Sequence, residues 1–295
     1  MTTTTRSRSA LVTGAGRGLG KDIAQMLADR GYRVMVTDID ADSAAAAAAE
    51  IGGGATWAAV DVRDHSQVEA ARDALLAQGG RLEVWVNNAG VLLTGPAWEQ
   101  SEDQRRLLME VNALGTINGT IAAIDAMRDH GPGSSAGSEG GPGGASSGGH
   151  IITIASLAGI SAVPGEAVYA ASKHAVMGFS TSTAIDLRLA GVDDIAISCI
   201  CPDGIWTPMI HDKLTDPQAA LSFSGSLLQP GDVVRAVGRV LDSPRLVTAV
   251  PSWRGALARL GATFPRLAVA GLPLMGAQGR RTQRRILATQ ESARR

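Results

Sequence analysis

The sequence predicts a doubly wound α/β fold, built on a seven-stranded parallel sheet in a single domain with a basic C-terminal extension. Short apolar runs alternate with longer helix-like stretches over most of the chain, the pattern of a parallel sheet covered on both faces. The length of 295 residues suits one hydrophobic core, because such cores stop growing near ~250–300 residues. With 45% hydrophobic and 19% charged residues and a mean hydropathy of +0.08, the chain can bury that core, and global disorder is excluded. Five Trp, three Phe and two Tyr stand against 36 Gly, so Ala, Val, Leu and Ile must fill the interior.

The apolar run Ala10–Thr13 is the first expected strand, and Leu19–Arg30, opened by a glycine-rich turn, the first helix. Strand Arg33–Thr37 and the alanine-rich helix Ala41–Glu50 follow, then strand Thr56–Asp61 and helix Ser66–Gln78. Strand Leu82–Val86 leads into one long helix, Glu99–Asp129. Nine of the 19 residues in Gly131–Gly149 are Gly, five Ser and two Pro, so this stretch reads as a flexible insert that cannot order itself. It enters the amino end of a strand, whereas ligands bind beyond the carboxyl ends, and is therefore expected far from the chemistry. Strand His150–Ala155, helix Ala167–Leu189, strand Ile195–Ile200, helix Asp232–Leu241 and strand Leu246–Val250 complete the α/β domain, residues 1–252.

The net charge of −1 conceals an asymmetry. Residues 253–295 carry nine Arg and one acid, Glu291, giving +8, while the first 252 carry 18 basic and 27 acidic side chains, giving −9. Neither a basic face with interleaved aromatics nor a reading motif is present, so nucleic acid is not an expected partner. The five His show no ligand spacing, and no metal is expected. Cys199 and Cys201 are assigned to opposite faces of one strand, as buried small hydrophobes out of each other's reach. Met1–Ser9 lacks the apolar stretch of a secretory signal, and the expected location is the cytoplasm.

After the first strand comes Thr13-Gly14-Ala15-Gly16-Arg17-Gly18-Leu19-Gly20. Such a turn lets a pyrophosphate approach the backbone and rest on a helix N-terminus. Asp38, at the end of the second strand, can accept hydrogen bonds from the adenosine ribose. A 2′-phosphate beside that carboxylate would juxtapose like charges, so NAD is expected over NADP; Arg17 argues the other way, since it could bind that phosphate. Asp61 and Val62 are placed to flank the adenine, with helix capping the alternative use of Asp61.

In Tyr169-Ala170-Ala171-Ser172-Lys173, Tyr and Lys stand at i and i+4 on one helix face. An ammonium there is expected to lower the Tyr pKa toward neutrality, as a general acid/base needs. Ser156, at the ligand end of the fifth strand, can hold a substrate oxygen.

Together these residues resemble the short-chain dehydrogenase/reductase family, whose fold is Rossmann-type. The resemblance extends to Asn87-Asn88-Ala89-Gly90, to Asn112 within Val111-Asn112-Ala113-Leu114-Gly115, and to Ser156 within Ala155-Ser156-Leu157-Ala158-Gly159, in the family's order from about Leu11 to Met209. It implies the strand order 3-2-1-4-5-6-7, with Tyr169 transferring the alcohol proton and Ser156 holding the substrate oxygen. Lys173 would lower the Tyr pKa and bind the nicotinamide ribose, Asn112 would hold a water linking Lys173 to solvent, and Asn88, with Ala89 and Gly90, would contact the cofactor. Pro202, Ile205 and Thr207 match the nicotinamide-binding stretch, but Asp203 stands where the family commonly has Gly. A homotetramer or homodimer packed partly through Ala167–Leu189 is also implied.

Leu92, Leu93, Val163, Trp206, Met209 and Phe223 are expected around the substrate, which points to an apolar secondary alcohol or ketone. A non-catalytic NAD-binding scaffold and an NADP-preferring ketone reductase are the competing readings. The extension could cover the substrate cleft, pack on a neighbouring subunit, or lie on an anionic membrane. Docking on the acidic body is favoured, with Pro265 and Pro273 expected to break any long amphipathic helix.

Overall fold

The computed structural model describes residues 8–129, 148–225 and 227–293. Most of the expected Gly/Ser insert lies outside them. Its last two residues are part of the packed fold: Gly149 is the first residue of a strand, and a Cβ there would come within 2.3 Å of Met127 Sδ.

Seven parallel strands form one sheet: β1 (Arg8–Thr13), β2 (Arg33–Asp38), β3 (Thr56–Ala59), β4 (Arg81–Asn87), β5 (Gly149–Ile154), β6 (Ile195–Pro202) and β7 (Val247–Val250). Their order is β3-β2-β1-β4-β5-β6-β7, as expected. Both faces are covered, so the central strands read as continuous apolar runs. Along β1, Ala10 and Val12 enter one core layer and Leu11 the other. The first layer is closed by α1 (Gly18–Asp29), α2 (Ala41–Ile51) and α8 (Pro230–Asp242); the second by α3 (His65–Ala77), α5 (Gly115–Asp129) and α6 (Ala167–Leu189).

The long helix expected over Glu99–Asp129 starts later and is interrupted. α4 (Glu102–Met109), opened by a capping box at Ser101 and Gln104, runs into a π-helical turn at Glu110–Leu114 before α5 continues. Such turns insert one residue into an α-helix and are frequent at functional sites. Asn112 lies inside it.

Cys199 and Cys201 are free, and both belong to one buried cluster with Ala155, Leu157 and Val176. The expectation of opposite faces is corrected: residues i and i+2 of a strand share a face. Burial pushes Cys199 up to about 11 and Cys201 up to about 12, which keeps both protonated near neutral pH.

The C-terminal extension forms two helices, α9 (Ser252–Thr263) and α10 (Pro265–Ala293), separated at Phe264. Pro265 opens α10, where its missing N–H costs nothing. Pro273 does not end the helix as expected; it sits inside α10, exposed on the surface, where solvent can satisfy the carbonyl left without a partner. α9 packs on β7, where Gly255 gives Ala249 room. α10 packs on a 3₁₀ turn, Pro217–Phe223, that follows the short helix α7 (Pro208–His211). There a Cβ on Gly279 would come within 1.7 Å of the Ala220 carbonyl oxygen, Gln283 Nε2 donates to the Asp216 carbonyl at 2.8 Å, and Ile286 and Leu287 join a cluster with Leu92, Ile210 and Phe223. Docking is chiefly apolar rather than driven by the opposite charges of tail and body. Among the described residues, one ion pair, Arg254 with Asp203, joins the two.

Candidate active site

The carboxyl ends of β1, β4, β5 and β6 open onto one cavity of about 1440 Å³, at the point where the strand order reverses, the usual ligand crevice of such sheets.

The glycine loop occupies one end. Gly14 and Gly18 have φ of +60° and +59°, backbone that favours glycine. A Cβ on Gly20 would come within 2.3 Å of the Gly14 carbonyl oxygen and 2.4 Å of Asn88 Nδ2, so only glycine lets α1 start this close to the turn. Arg17, the residue before α1, makes no side-chain cap, and the first turn holds no acid. The N-terminal N–H groups of α1 are thus left for an anionic ligand. Asp38 stands at the lip of the same loop, where its carboxylate accepts from Gly16 N at 2.9 Å and Asp40 N at 3.2 Å. A helix start uncapped by side chains, a close backbone approach and a carboxylate at the end of β2 together fit a dinucleotide.

Gly14, Arg17, Gly18, Leu19, Gly20, Asp38, Asp61, Val62, Asn88, Ala89 and Gly90 all line the cavity, as do Ser156, Tyr169, Lys173, Pro202, Ile205 and Thr207. Asp61 lies two residues beyond β3, which ends earlier than expected. It pairs with Arg63, whose hydrogen bond holds its carboxyl below the usual range, while Asp64 rather than Asp61 caps α3. The Asn88 side chain is committed to the loop, donating to the carbonyls of Thr13 at 3.0 Å and Gly14 at 2.8 Å.

Asn112 is the exception. It is fully buried and does not line the cavity. Its side chain accepts from Val91 N at 2.8 Å and donates to Val91 O and Ser172 Oγ, each at 3.0 Å. Asn112 therefore clamps the segment after β4 to the helix that carries Tyr169 and Lys173.

The Ser156 hydroxyl is near enough to Tyr169 to favour its phenolate, and Ser156 Oγ accepts from Ala158 N at 3.1 Å. Lys173 Nζ lies 5.8 Å from the centre of the Tyr169 ring and donates to the Ile154 carbonyl at 2.9 Å. Burial pulls Lys173 down to about 8. The expected lowering of Tyr169 by the ammonium is corrected here: burial, aided by the negative charge of Glu166, raises the phenol above its ordinary value, and the Ser156 hydroxyl opposes them.

Glu166, one helical turn before Tyr169, was not singled out in the sequence. It is buried, lines the cavity, and accepts a hydrogen bond from Ser222 Oγ; burial raises it to about 7. A lone acid three residues ahead of the Tyr in Gly165-Glu166-Ala167-Val168-Tyr169 is the signal that could have found it. Beyond Tyr169 the wall turns apolar. Leu92, Leu93, Val163 and Met209 line it as expected, but Trp206 and Phe223 do not. They pack beneath it in the cluster that receives α10.

A family model described as short chain dehydrogenase matches residues 8–218. Cyclopentanol dehydrogenase of Comamonas testosteroni is 32% identical over 235 residues, which cover 77% of this chain and 86% of that protein. The 1-deoxy-11-beta-hydroxypentalenate dehydrogenase of Streptomyces exfoliatus is 32% identical over 245 residues, 81% and 82% of the two chains. The sex determination protein tasselseed-2 of Zea mays is 34% identical over 224 residues, and the match spans 60% of its length. Among solved structures, a short-chain dehydrogenase/reductase from Burkholderia phymatum in complex with NAD superposes with a TM-score of 0.75 at 25% identity, covering 89% of this chain and 95% of that one. With an uncapped helix start behind a glycine loop, a Ser–Tyr–Lys cluster beside it and these relatives, the chain belongs to the short-chain dehydrogenase/reductase family of oxidoreductases.

Proposed function

We propose that this protein interconverts an apolar secondary alcohol and its ketone with NAD(H) as cofactor. The observation that carries the reading is the cavity itself, polar and glycine-lined at one end, apolar at the other, with Ser156, Tyr169 and Lys173 at the junction. Cyclopentanol and hydroxypentalenate dehydrogenases among the relatives support an alcohol as substrate class.

The N-terminal N–H groups of α1 would hold the pyrophosphate and Asp38 the adenosine ribose, with Pro202, Ile205 and Thr207 beside the nicotinamide. When bound, the nicotinamide supplies a hydride acceptor or donor and, in its oxidised form, a positive charge. Tyr169 Oη takes the alcohol proton during oxidation and returns it during reduction. Ser156 Oγ orients the substrate oxygen toward that hydroxyl and, lying near the phenol, favours the phenolate. Lys173, still charged near neutral pH, contributes attraction across the ring face. The apolar wall excludes water and so strengthens these interactions.

Asp38 supports NAD over NADP, because its carboxylate is held in place by two backbone N–H groups where a 2′-phosphate would have to sit. Arg17, exposed on the cavity lip, favours the competing NADP reading. The proposed setting is a cytoplasmic homo-oligomer assembled partly through α6, whose Ile185 and Leu189 are exposed. Steady-state reduction of NAD and of NADP by a panel of hydrophobic secondary alcohols, cyclopentanol included, tests the reading. Turnover with neither cofactor would favour a non-catalytic binding protein, and turnover with NADP alone would assign selectivity to Arg17.

A further inference from the structure

The family match ends at residue 218, yet residues far beyond it build the cavity. Leu257, Leu260, Phe264, Val269, Leu272 and Met275 all line it. Leu257 is 47% exposed, Leu260 56%, Phe264 51% and Val269 62%, so this face of the extension is a continuous apolar surface turned toward the cavity rather than packed into the core. Apolar patches of this kind mark ligand grooves. From Phe264 to Met275 it follows roughly 16 Å of helix at about 1.5 Å per residue, longer than a small cyclic alcohol can cover.

The second observation is the Asp203–Arg254 ion pair. Arg254 Nε donates to Asp203 Oδ2 at 2.7 Å, and the side chains are 12% and 9% exposed. Gly225 closes over the pair, where a Cβ would come within 2.1 Å of Asp203 Oδ2 and 3.1 Å of Arg254 Nη2. Asp203 N also donates to Val250 O at 2.8 Å. One residue therefore joins the exit of β6, the loop after the 3₁₀ turn and the first turn of α9. A buried pair returns in attraction about what it costs in lost hydration, and its best-attested use is to fix register. Gly255 against Ala249 and Ala258 on the Cys199–Cys201 cluster are apolar contacts of α9, without the directionality of a hydrogen-bonded pair.

We propose that Arg254 is a positioning residue whose bond to Asp203 holds α9 and α10 as a roof over the substrate half of the cavity, and that this roof selects extended apolar alcohols and ketones over small cyclic ones. The departure at Asp203 and the extension are then two halves of one device. This deepens the oxidoreductase reading and rests on it for the class of ligand.

The test compares 2-undecanone and cyclopentanone, titrated calorimetrically into the full-length protein with saturating NAD, a mixture that cannot turn over. The wild type is expected to bind 2-undecanone at least tenfold more tightly. Arg254→Ala lowers that ratio at least fivefold, and Arg254→Lys, which keeps the charge, retains most of it. Leu260→Asn, which leaves the ion pair intact and changes a half-exposed position, also lowers the ratio and carries the test should Arg254→Ala fail to fold. A ratio unchanged in both Arg254→Ala and Leu260→Asn, or equal weakening of both ketones in Arg254→Ala, overturns the proposal. Oxidation of a short alcohol with length-independent ketone binding sinks the roof alone. Length-selective binding that depends on Arg254, in a protein that oxidises no alcohol, upholds the roof and sinks the oxidoreductase reading instead.

Discussion

The carboxyl group of Glu166 accepts a hydrogen bond from the hydroxyl of Ser222, 56 residues further along the chain, and so ties the start of the helix bearing Tyr169 to the turn on which α10 rests. Ionised Glu166 opposes the phenolate of Tyr169. Glu166→Gln keeps a hydrogen-bond acceptor and removes the charge. The acid limb of kcat/KM for alcohol oxidation, which follows loss of the Tyr169 proton, is expected to move to lower pH in this variant; a pH–rate profile of both proteins checks it.

The same carboxyl makes stability depend on pH. Its value rises from an ordinary 4.5 to about 7 on folding, so the folded state holds the proton more tightly than the unfolded one. Stability therefore falls as pH rises from about 4.5 to 7, by roughly 3 kcal/mol from this group at most. Glu166→Gln removes that loss. Urea midpoints at pH 5 and pH 8 are expected to show the variant gaining on the wild type as pH rises.

Tyr169→Phe keeps the ring and deletes the proton. Activity should drop by at least ~10²-fold with NAD affinity little changed, measured by fluorescence titration of the cofactor beside steady-state kinetics. Near wild-type turnover would refute the assignment of Tyr169.

Asp38→Ala removes the carboxylate at the lip of the glycine loop. The preference for NAD over NADP, measured as a ratio of kcat/KM values, should narrow, and Asp38→Ala combined with Arg17→Ala should lose the NADP gained. A wild type that prefers NADP contradicts the electrostatic argument at its root.

Gly279→Leu forces a side chain into the Ala220 carbonyl. Overpacking of this kind costs about 1–3 kcal/mol, or several degrees of Tm at roughly 2–4 °C per kcal/mol. Differential scanning calorimetry checks the loss; an unchanged Tm would mean that α10 does not depend on this contact.

What the sequence disclosed was whatever is local. The glycine loop and the Tyr169–Lys173 spacing follow from short-range patterns, the strand order from the family resemblance that those motifs carry, and α6 begins and ends at the expected residues. The π turn escaped because an apolar pattern records which face of a helix is buried, not the phase of its hydrogen bonds. Glu166 with Ser222 and Asp203 with Arg254 were invisible for another reason: neither spacing nor composition links residues more than fifty positions apart. Trp206 and Phe223 were assigned to the cavity as large apolar side chains in the right segment, but the arrival of α10 on that segment turned it into core.

The π turn at Glu110–Leu114 also fixes the length of its helix to the residue. α4 packs on α6 while α5 packs on β4 and α3, two faces kept in phase by one additional amino acid. Since each residue turns an α-helix by about 100°, deleting Glu110 or Val111, which stand between them, would change the rotation that relates buried Leu108 to buried Asn112. The segment acts as a ruler rather than a spacer: its residue count, and not only its side chains, decides how Asn112 meets Val91 and Ser172.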